Sequence, residues 1–368
     1  GKMAPQGYQL AIGELMTLVD WLTKDQAPAE NWAEKSQCKD PSVNLATGPR
    51  LGGWGYGYKN RRQQSASKGG ITSNNVGELK LKWSIAFPHV TQMRSQPALV
   101  GDTLFIAIAD TSKVYALNAD TGCVKWEYDT QTPPRTSLGY DDVDGRGAIW
   151  FGDAGGNVYM LDAKTGKEIW TRDIKLFKHS MVTGQPVLYQ DILYIPLSIY
   201  ETATAMNPLH ECCTSHGAIV AVNALNGEPV WTLGTTPDAQ KTQRSVIGIQ
   251  QWGPAGAPVW NSPAIDEKRG VLYFGTGQNI TDPATDTSDA IFAVDLKTGK
   301  PKWHFQATKN DTFNNACAAW YGGKSGPNCP KEEGRDSDFG AGVIIATLNE
   351  GLDNERDIVL AGQKSGTV

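Results

Sequence analysis

A short phrase recurs along the chain and strongly limits what it can fold into. Asp or Asn is followed four residues later by a turn Gly, and Trp comes four positions after that Gly. Four copies read ALNADTGCVKW, MLDAKTGKEIW, AVNALNGEPVW and AVDLKTGKPKW, and they end at Trp126, Trp170, Trp231 and Trp303, while a degenerate copy, VGELKLKW, ends at Trp83. Successive tryptophans are 43, 44, 61 and 72 residues apart. A period of roughly 40–50 residues with insertions is typical of propellers, which repeat a four-stranded unit.

Each copy of the phrase predicts the same local structure. An alternating strand such as VYAL leads into a tight turn, and a second strand carries the Trp. The turn requires a positive φ, which glycine adopts easily, at Gly122, Gly166, Gly227 and Gly299. The flat indole can pack between neighbouring sheets. We therefore predict an all-β chain, a β-propeller of four-stranded antiparallel blades.

Charge and hydropathy exclude several classes of partner. The formal net charge of −5 provides no electrostatic basis for binding nucleic acid or an anionic membrane surface. No run approaches the ~18 uninterrupted apolar residues of a membrane span. We expect neither a nucleic-acid partner nor a membrane-spanning segment.

The six cysteines are placed as if in pairs. Cys212 is next to Cys213, Cys317 and Cys329 flank a segment containing Gly and Pro, and Cys38 and Cys123 pair by elimination. Such disulfides would indicate an oxidising compartment such as the periplasm. Six free, mostly buried thiols are the alternative.

The chain divides into three parts. Apolar residues at Ala11, Leu15, Leu18 and Leu22 predict a short amphipathic helix near the N-terminus, within residues 1–25. Residues 26–70 are rich in Gly, Pro, Asn and Ser and are interpreted as a linker and lead-in, and residues 71–368 as the propeller. The last sheet stops early, at AGQKSGTV, so we interpret the chain as a fragment with an incomplete propeller.

Several motifs, in one order, resemble the pyrroloquinoline-quinone (PQQ) dehydrogenases. They are the repeated phrase, GWGYGYKNRRQQ, NVGELKLKW, ECCTSHGAIVAVNALNG, GPAGAPVWNSPAID, GTGQNITDP, NCP, DSDFGAGV and AGQKSG, and they cover about residues 50–368. Within that family the chain is most similar to the cytochrome-fused polyvinyl-alcohol dehydrogenases. The resemblance implies eight blades in the complete protein.

The N-terminal segment resembles the end of a class I cytochrome c domain. In that domain a Lys-Met-Pro-like phrase supplies an axial methionine, and here the corresponding residue is Met3. No CxxCH haem-attachment motif is present, so haem c is expected only in the full-length protein.

The resemblance implies an activity and partners. PQQ oxidises an alcohol at its C5 carbonyl, so the implied reaction converts secondary alcohol groups, as in polyvinyl alcohol, to ketones and passes electrons to a fused or separate cytochrome c. Two alternatives are a non-catalytic scaffold of the outer-membrane-assembly type and a quinoprotein dehydrogenase for small alcohols or sugars. The repeats alone do not separate these, because a fold does not determine a function.

The family polarises the quinone carbonyl with calcium, an ion that prefers oxygen ligands. Glu201 follows Ser198 in the family's Ser-x-x-Glu pattern and is the implied carboxylate ligand. Gln278 stands where the family usually has an Asn ligand, and the neighbouring Asn279 is the alternative. Without the resemblance, Glu201 would be interpreted as a solvated loop residue.

The resemblance also implies a set of cofactor contacts. Trp260 precedes Gln278 by the family's interval of 18 residues and would stack on one quinone face. A Cys212–Cys213 disulfide would cover the other face; two free core thiols are the alternative. The remaining implied contacts to the quinone's carboxylates and carbonyls are Arg135 (or the nearby Arg146), Thr183, Ser198 and Lys364.

The implied general base is Asp338, in DSDFGAG, because a carboxylate beside calcium stays ionised and can accept the alcohol proton. Asp311 and Asp336 are competing candidates, because the insertion between Gln306 and Asp336 permits other alignments. Lys364, in GQKSG, matches the family's cation that hydrogen-bonds the reactive quinone oxygens and completes the predicted catalytic pair.

Overall fold

A computed structural model describes residues 32–368, except residues 89, 92, 319–324 and 350. The predicted N-terminal helix and the predicted haem ligand Met3 lie outside the described residues. Within the described part, no helix is long and apolar enough to cross a membrane. The helices are single turns: α1 (Trp32–Lys35), α2 (Ala66–Gly69), α3 (Glu201–Thr204) and the 3₁₀ turns η1 (Val76–Glu78) and η2 (Asn315–Cys317).

The rest of the ordered structure is antiparallel sheet, as the alternating segments predict. The first sheet contains β1 (Arg50–Leu51), β2 (Ala98–Val100), β3 (Thr103–Ile108), β4 (Lys113–Asn118) and β5 (Val124–Asp129). The second contains β6 (Gly139–Val143), β7 (Arg146–Gly152), β8 (Asn157–Asp162) and β9 (Glu168–Asp173). Because β1 pairs with β2, part of the predicted linker and lead-in adds an edge strand to the first sheet.

The third sheet contains β10 (Ser180–Met181), β11 (Val187–Tyr189), β12 (Ile192–Ile199), β13 (Ala218–Asn223) and β14 (Pro229–Gly234). Two small pairs follow, β15 (Gln240–Arg244) with β16 (Gln250–Gly253), and β17 (Ala255–Gly256) with β20 (Asn279–Thr281). The fourth sheet contains β18 (Ala264–Asp266), β19 (Val271–Gly275), β21 (Ala290–Asp295) and β22 (Pro301–Gln306). β23 (Ile344–Leu348) and β24 (Arg356–Leu360) form a fifth. The fold is therefore mostly β and propeller-like.

Neighbouring sheets pack face to face through buried apolar side chains. One cluster joins the first two sheets through Phe105, Phe151 and Tyr159, with the Phe151 and Tyr159 rings stacked. Similar clusters join the second sheet to the third, the third to the fourth, and the fourth to the fifth. This succession, each sheet against the next, is the packing expected of propeller blades.

The repeated phrase forms the contact between successive sheets. Four of the five repeat tryptophans donate the indole N–H to a backbone carbonyl in the next turn: Trp83 to Ala119, Trp126 to Ala163, Trp170 to Ala224, and Trp231 to Leu296, at 2.7–3.1 Å. The turn glycine packs against the ring of that indole: a Cβ added to Gly299 would lie 2.5 Å from the Trp231 ring. The predicted positive φ is present at all four turn glycines, at 68–75°. Predicted packing and predicted turn geometry are both confirmed.

All three cysteine pairs form disulfides, and the alternative of free thiols is wrong. Cys38–Cys123 ties the segment before the first sheet to the turn between β4 and β5. Cys317–Cys329 closes the segment after η2.

In each of the five sheets the first main strand is preceded by a tripeptide that occupies the equivalent place in the chain. We call these five segments the pre-strand tripeptides. One further residue separates each of them from the first main strand of a sheet, β2, β6, β11, β18 or β23. They are residues 94–96, 135–137, 183–185, 260–262 and 340–342. Equivalent places in a repeated architecture bring the tripeptides together around one cavity, where the candidate site lies.

Candidate active site in the central cavity

A cavity of about 230 Å³ is formed almost entirely by the pre-strand tripeptides. Apart from Trp54, every lining residue belongs to one of them: Arg94, Arg135, Ser137, Thr183, Gly184, Gln185, Trp260, Asn261, Ser262, Gly340 and Gly342. Three predicted cofactor contacts, Arg135, Thr183 and Trp260, are thus brought together. A Cβ on Gly340 would come within 2.3 Å of the Trp260 ring, so glycine lets that segment approach the indole closely.

One side of the cavity is cationic. Arg135 is half-buried beside Arg94, and both burial and the neighbouring guanidinium lower the pKa of Arg135. The hydroxyl oxygen of Thr183 is buried and has no hydrogen-bond partner. Two adjacent guanidinium groups and an unsatisfied hydroxyl fit an anionic ligand with several oxygens. The alternative to Arg135, Arg146, is exposed on β7 and is not part of the cavity wall.

Lys364 connects Trp260 to two carboxylates. Its Nζ lies 5.4 Å from the centre of the Trp260 ring, 2.6 Å from Asp338 Oδ2 and 2.9 Å from Asp336 Oδ1. Burial alone would lower the pKa of Lys364. The hydrogen bonds and charge interactions of Lys364 with Asp338 and Asp336 outweigh burial and raise that pKa. Lys364 therefore stays charged next to the ring face.

Asp338, one of the three candidate bases, contacts both a backbone N–H and the Lys364 cation. Its Oδ1 accepts the Gln278 N–H at 2.8 Å, and its side chain is 7% exposed. A Cβ on Gly277 would lie 2.1 Å from that oxygen, so the close approach requires glycine. Asp338 is fixed in position while one oxygen faces the Lys364 cation.

The two competitors are held differently. Asp311 is buried and accepts the N–H groups of Asp336 at 3.1 Å and Ser337 at 2.8 Å, so its carboxylate shapes the loop that carries Asp338. Asp336 pairs with Lys364. Burial and the charge of Asp338 raise the pKa of Asp336 to about 6, against the opposing effect of Lys364.

The two candidate amide ligands also differ. The Asn279 Oδ1 accepts Thr285 N–H at 2.7 Å and its hydroxyl at 3.1 Å, and the Asn279 amide donates to Ala255 O at 3.1 Å. Gln278 donates to Phe313 O at 3.0 Å, but its Oε1 is buried and has no partner. Gln278 is therefore the residue with an amide oxygen open to an ion.

Asp289 is a site residue that the sequence reasoning missed. It is fully buried, and neither of its carboxylate oxygens has a hydrogen-bond partner. Burial, followed by the negative charges of Asp311, Asp338 and Asp336, raises the pKa of Asp289 to about 9. The region therefore has a surplus of negative charge, and a divalent cation bound at the Gln278 oxygen would offset it.

Glu201 begins α3 and is 1% exposed, so it is not a solvated loop residue. Its Oε2 accepts Thr214 N–H at 3.0 Å, Ser215 N–H at 2.7 Å and the Ser215 hydroxyl, while its Oε1 lies 2.9 Å from His210 Nε2. Ser198 is buried on β12, opposite Met181 of β10. Neither Glu201 nor Ser198 is among the residues described on the cavity wall.

Neither cysteine of the Cys212–Cys213 disulfide is among the residues described on that wall either. Both residues are fully buried in an apolar cluster with Ile199, Ala205, Ala255, Ile280 and Ala316. The pair exists as predicted, but its contact with a quinone face stays a prediction.

Arg94 and Trp54 were missed as cavity residues as well. A signal for Arg94 was present in the sequence. Arg94, Thr183 and Trp260 each stand three residues before a proline that leads into a strand, in RSQP, TGQP and WNSP. Aligning these segments would have placed Arg94 beside Thr183 and Trp260.

Comparison with known proteins identifies relatives for this arrangement. Residues 54–319 match the family model PQQ, described as "Glucose/ethanol/alcohol dehydrogenase, beta-propeller domain". A polyvinylalcohol dehydrogenase from Pseudomonas sp is 36% identical over 91% of this chain and 51% of its own length. Another, from Sphingopyxis sp. strain 113P3, is 30% identical over 100% of this chain and 58% of its own length. The chain therefore spans between half and three-fifths of these relatives.

Solved structures share the fold. The quinohemoprotein alcohol dehydrogenase ADHIIG from Pseudomonas putida HK5 superposes with a TM-score of 0.64 at 22% identity, over 90% of this chain and 46% of that one. The quinohemoprotein alcohol dehydrogenase from Comamonas testosteroni gives 0.62 at 21% identity, over 91% and 50%.

Proposed function

Because the chain belongs to the family of PQQ-type dehydrogenase β-propellers, we propose that it oxidises alcohol groups with bound PQQ. One observation supports this most: Lys364, which pairs with Asp338, lies over the ring of Trp260, and Trp260 and Arg135 line the same cavity. A flat ring surface, an anion-binding wall and a paired acid–base group are what alcohol oxidation by an anionic quinone requires.

The residues present fit the cofactor. When bound, PQQ supplies a quinone carbonyl that accepts two electrons from the alcohol. Trp260 would support one face of the ring, and Arg135 and Arg94 would bind carboxylate groups. The unpartnered Thr183 hydroxyl would complete this set.

The residues also fit a hard cation. Gln278 would contribute its open Oε1, next to the Asp338 carboxylate, and the negative charges around Asp289 favour a divalent ion. We propose calcium, which would polarise an oxygen as a Lewis acid. Glu201, the third ligand implied by the resemblance, would exchange its contact with His210 Nε2 for the ion.

In the proposed reaction Asp338 accepts the proton of the alcohol hydroxyl. Gln278 N–H holds one carboxylate oxygen and Lys364 holds the other, so the side chain is oriented before the alcohol arrives. Lys364 also places a positive charge where negative charge develops on the reacting oxygens. Asp311 acts as a positioning residue for this loop.

For the substrate, we propose secondary alcohol groups of the polyvinyl-alcohol type, supported by the names of the two relatives above. Small alcohols are a second candidate, since a quinohemoprotein alcohol dehydrogenase from Comamonas testosteroni is 28% identical over 78% of this chain. We further propose a cytochrome c acceptor, a periplasmic location consistent with three disulfides, and a complete ring of eight four-stranded blades. A purely non-catalytic scaffold explains neither the unpartnered Gln278 oxygen nor the buried Asp289.

Reconstitution of this chain with PQQ and calcium tests the proposal. We expect calcium-dependent binding of one PQQ, recorded by its absorption spectrum, and a change to the reduced spectrum when a secondary alcohol is added. Trp260→Ala should weaken PQQ binding, whereas Trp303→Ala, a change at a half-exposed repeat tryptophan, should not. Bound PQQ that no alcohol reduces, or binding that is indifferent to Trp260, would contradict the assignment.

A further inference from the structure

A second pocket, of about 170 Å³, lies between the β15–β16 hairpin and the segment that contains Cys329. We call it the hairpin pocket, and the reaction proposed above gives no role to the residues described on its wall. Two of those residues, Trp252 and Thr281, each have a buried polar atom without a hydrogen-bond partner, the indole nitrogen and the hydroxyl oxygen. Since buried polar groups are normally paired, two unpaired ones on one wall indicate a ligand that bonds to them.

The fold holds both walls of the hairpin pocket in place. Gln251 Nε2 donates to Asn328 Oδ1 at 2.9 Å and joins the hairpin to the opposite wall. Asn328 is 2% exposed, and its amide donates to three backbone carbonyls within residues 205–210, at 3.0–3.2 Å. The backbone N–H of Trp252 donates to Cys212 O at 2.7 Å. The pocket is therefore formed before a ligand arrives, which lowers the entropic cost of binding.

The uncharged part of the wall indicates the kind of ligand. An indole N–H can only donate a hydrogen bond, whereas a threonine hydroxyl can donate or accept one, so a ligand hydroxyl satisfies either group. Val246, Pro327 and Pro330 add apolar surface to the same pocket. Val246 lies at the hairpin tip and is 93% exposed, so the pocket continues into an apolar surface that solvent reaches. The ligand should therefore present both hydroxyl groups and hydrocarbon.

The charged part of the wall has no single sign. Asp282 places a negative charge beside the positive charges of Arg244 and Lys331. The Arg244 guanidinium already donates to Gly248 O at 2.7 Å, and the Lys331 N–H donates to Asp282 Oδ2 at 3.0 Å. A neutral chain that alternates methylene and hydroxyl groups matches this wall better than a strongly charged ligand does.

We propose that the hairpin pocket binds one segment of a hydroxyl-bearing polymer chain while another segment of the same chain reaches the cavity around Trp260. The choice of a vinyl-alcohol polymer rests on the proposed function. Attachment at a second place raises the effective concentration of the remaining hydroxyl groups near the cavity. A short alcohol is too small to occupy both places at once, so the pocket favours the polymer alone.

Calorimetric titration of the intact chain with a vinyl-alcohol oligomer, without PQQ, tests the site independently of catalysis. We expect saturable binding. Trp252→Phe removes the indole N–H but keeps an aromatic ring, and Thr281→Val removes the hydroxyl but keeps the shape. Each should weaken binding by about 2–12-fold, the equivalent of one neutral hydrogen bond. Trp303→Phe is the matched control: Trp303 is half-exposed, is not among the residues described on the pocket wall, and should be replaceable without effect.

Two results of the titration would overturn the site: no saturable binding to the wild-type chain, or binding that neither Trp252→Phe nor Thr281→Val weakens. An acrylic-acid oligomer of the same length provides a second arm. If it binds more tightly than the vinyl-alcohol oligomer, and the two variants weaken its binding, the pocket is an anion site and the proposal is wrong.

Kinetics of the chain loaded with PQQ and calcium separates this proposal from the proposed function. Both variants should raise KM for the polymer by the factor found in the titration, and leave kcat and the KM for a short secondary alcohol unchanged. An equal loss with the short alcohol would show a merely structural role and reject the pocket as a polymer site. Failure of the proposed function has a different signature, because no alcohol would be oxidised while oligomer binding and its dependence on Trp252 and Thr281 remained.

Discussion

Replacement of Asp338 by Asn is the most direct test of the catalytic assignment. The change removes the proton acceptor but keeps the shape and one acceptor oxygen, so the hydrogen bond from Gln278 N–H, 2.8 Å in wild type, can persist. Lys364 retains Asp336 as a partner at 2.9 Å, so no cation is left without a carboxylate. The loop should therefore keep its conformation, and the effect should fall on the reaction.

The expected size follows from the role. Removal of a general base typically slows a reaction by about 10²–10⁴-fold, which is about 3–5 kcal/mol in activation free energy. Asp338 does not lie among the residues on the cavity wall, so PQQ affinity should change little. We predict a large loss of rate with near-normal cofactor binding.

Single-turnover kinetics measures this directly. The chain, loaded with PQQ and calcium, is mixed rapidly with a short secondary alcohol, and the quinone absorption is followed. Asp336→Asn is the matched control, since it also removes a carboxylate from Lys364 but leaves Asp338 in place. The rate of the Asp336→Asn variant should stay much closer to wild type. If titration of Asp336 produces a step near pH 6 in the pH–rate profile, that step should be absent from the variant.

One outcome would refute the reasoning. If Asp338→Asn reduces the quinone at the wild-type rate while Asp336→Asn or Asp311→Asn does not, the base lies elsewhere in the loop. A fall in PQQ affinity that accounts for the whole effect of Asp338→Asn would also remove Asp338 from the role of base.

Three further predictions concern stability and binding. Trp170→Ala should lower the free energy of unfolding by about 3–5 kcal/mol in a denaturant titration, because it removes a buried indole and its hydrogen bond to the next sheet. An effect no larger than that of Trp303→Ala would contradict this prediction. Arg135→Gln should weaken PQQ binding by about 10–150-fold in an absorption titration, the equivalent of one charge-assisted hydrogen bond, whereas Arg146→Gln should not. The pKa of Asp289 is raised to about 9, so the folded state without calcium retains a proton that the unfolded state releases, and stability should fall as pH rises from about 4 to 9. Asp289→Asn should remove that dependence, and parallel pH profiles for the variant and wild type would count against the raised pKa.

The sequence alone predicted the succession of antiparallel sheets because the constraint there is local. A tight turn followed by Trp requires a glycine with positive φ, and the same few residues dock each sheet on the next. Cys212 and Cys213, adjacent in the chain, needed no knowledge of the fold to be paired. Trp260, singled out through its place in a motif, lines the cavity, and its contact with the quinone stays a prediction.

The site's polar contacts were less predictable, because they join segments far apart in the chain. The choice of Gln278 over Asn279 as the candidate amide ligand depends on Thr285 and Ala255, because hydrogen bonds to these two residues already use the oxygen and the nitrogen of the Asn279 amide. The surroundings of Glu201 could not be read from Ser-x-x-Glu either, since His179 reaches it from the preceding loop. Asp289 carries no motif at all, and only its burial without a partner reveals it.

The pre-strand tripeptides have a consequence for how such a protein can diversify. Each contributes a separate sector of the pocket wall, while the apolar packing that stabilises each sheet resides on the strands behind it. A substitution at Thr183 would alter what the pocket accepts in one sector and leave the packing of the strands unchanged. Ligand preference and folding stability are therefore determined at different positions. Substitutions in one tripeptide at a time can change which substrates bind while the sheets remain folded.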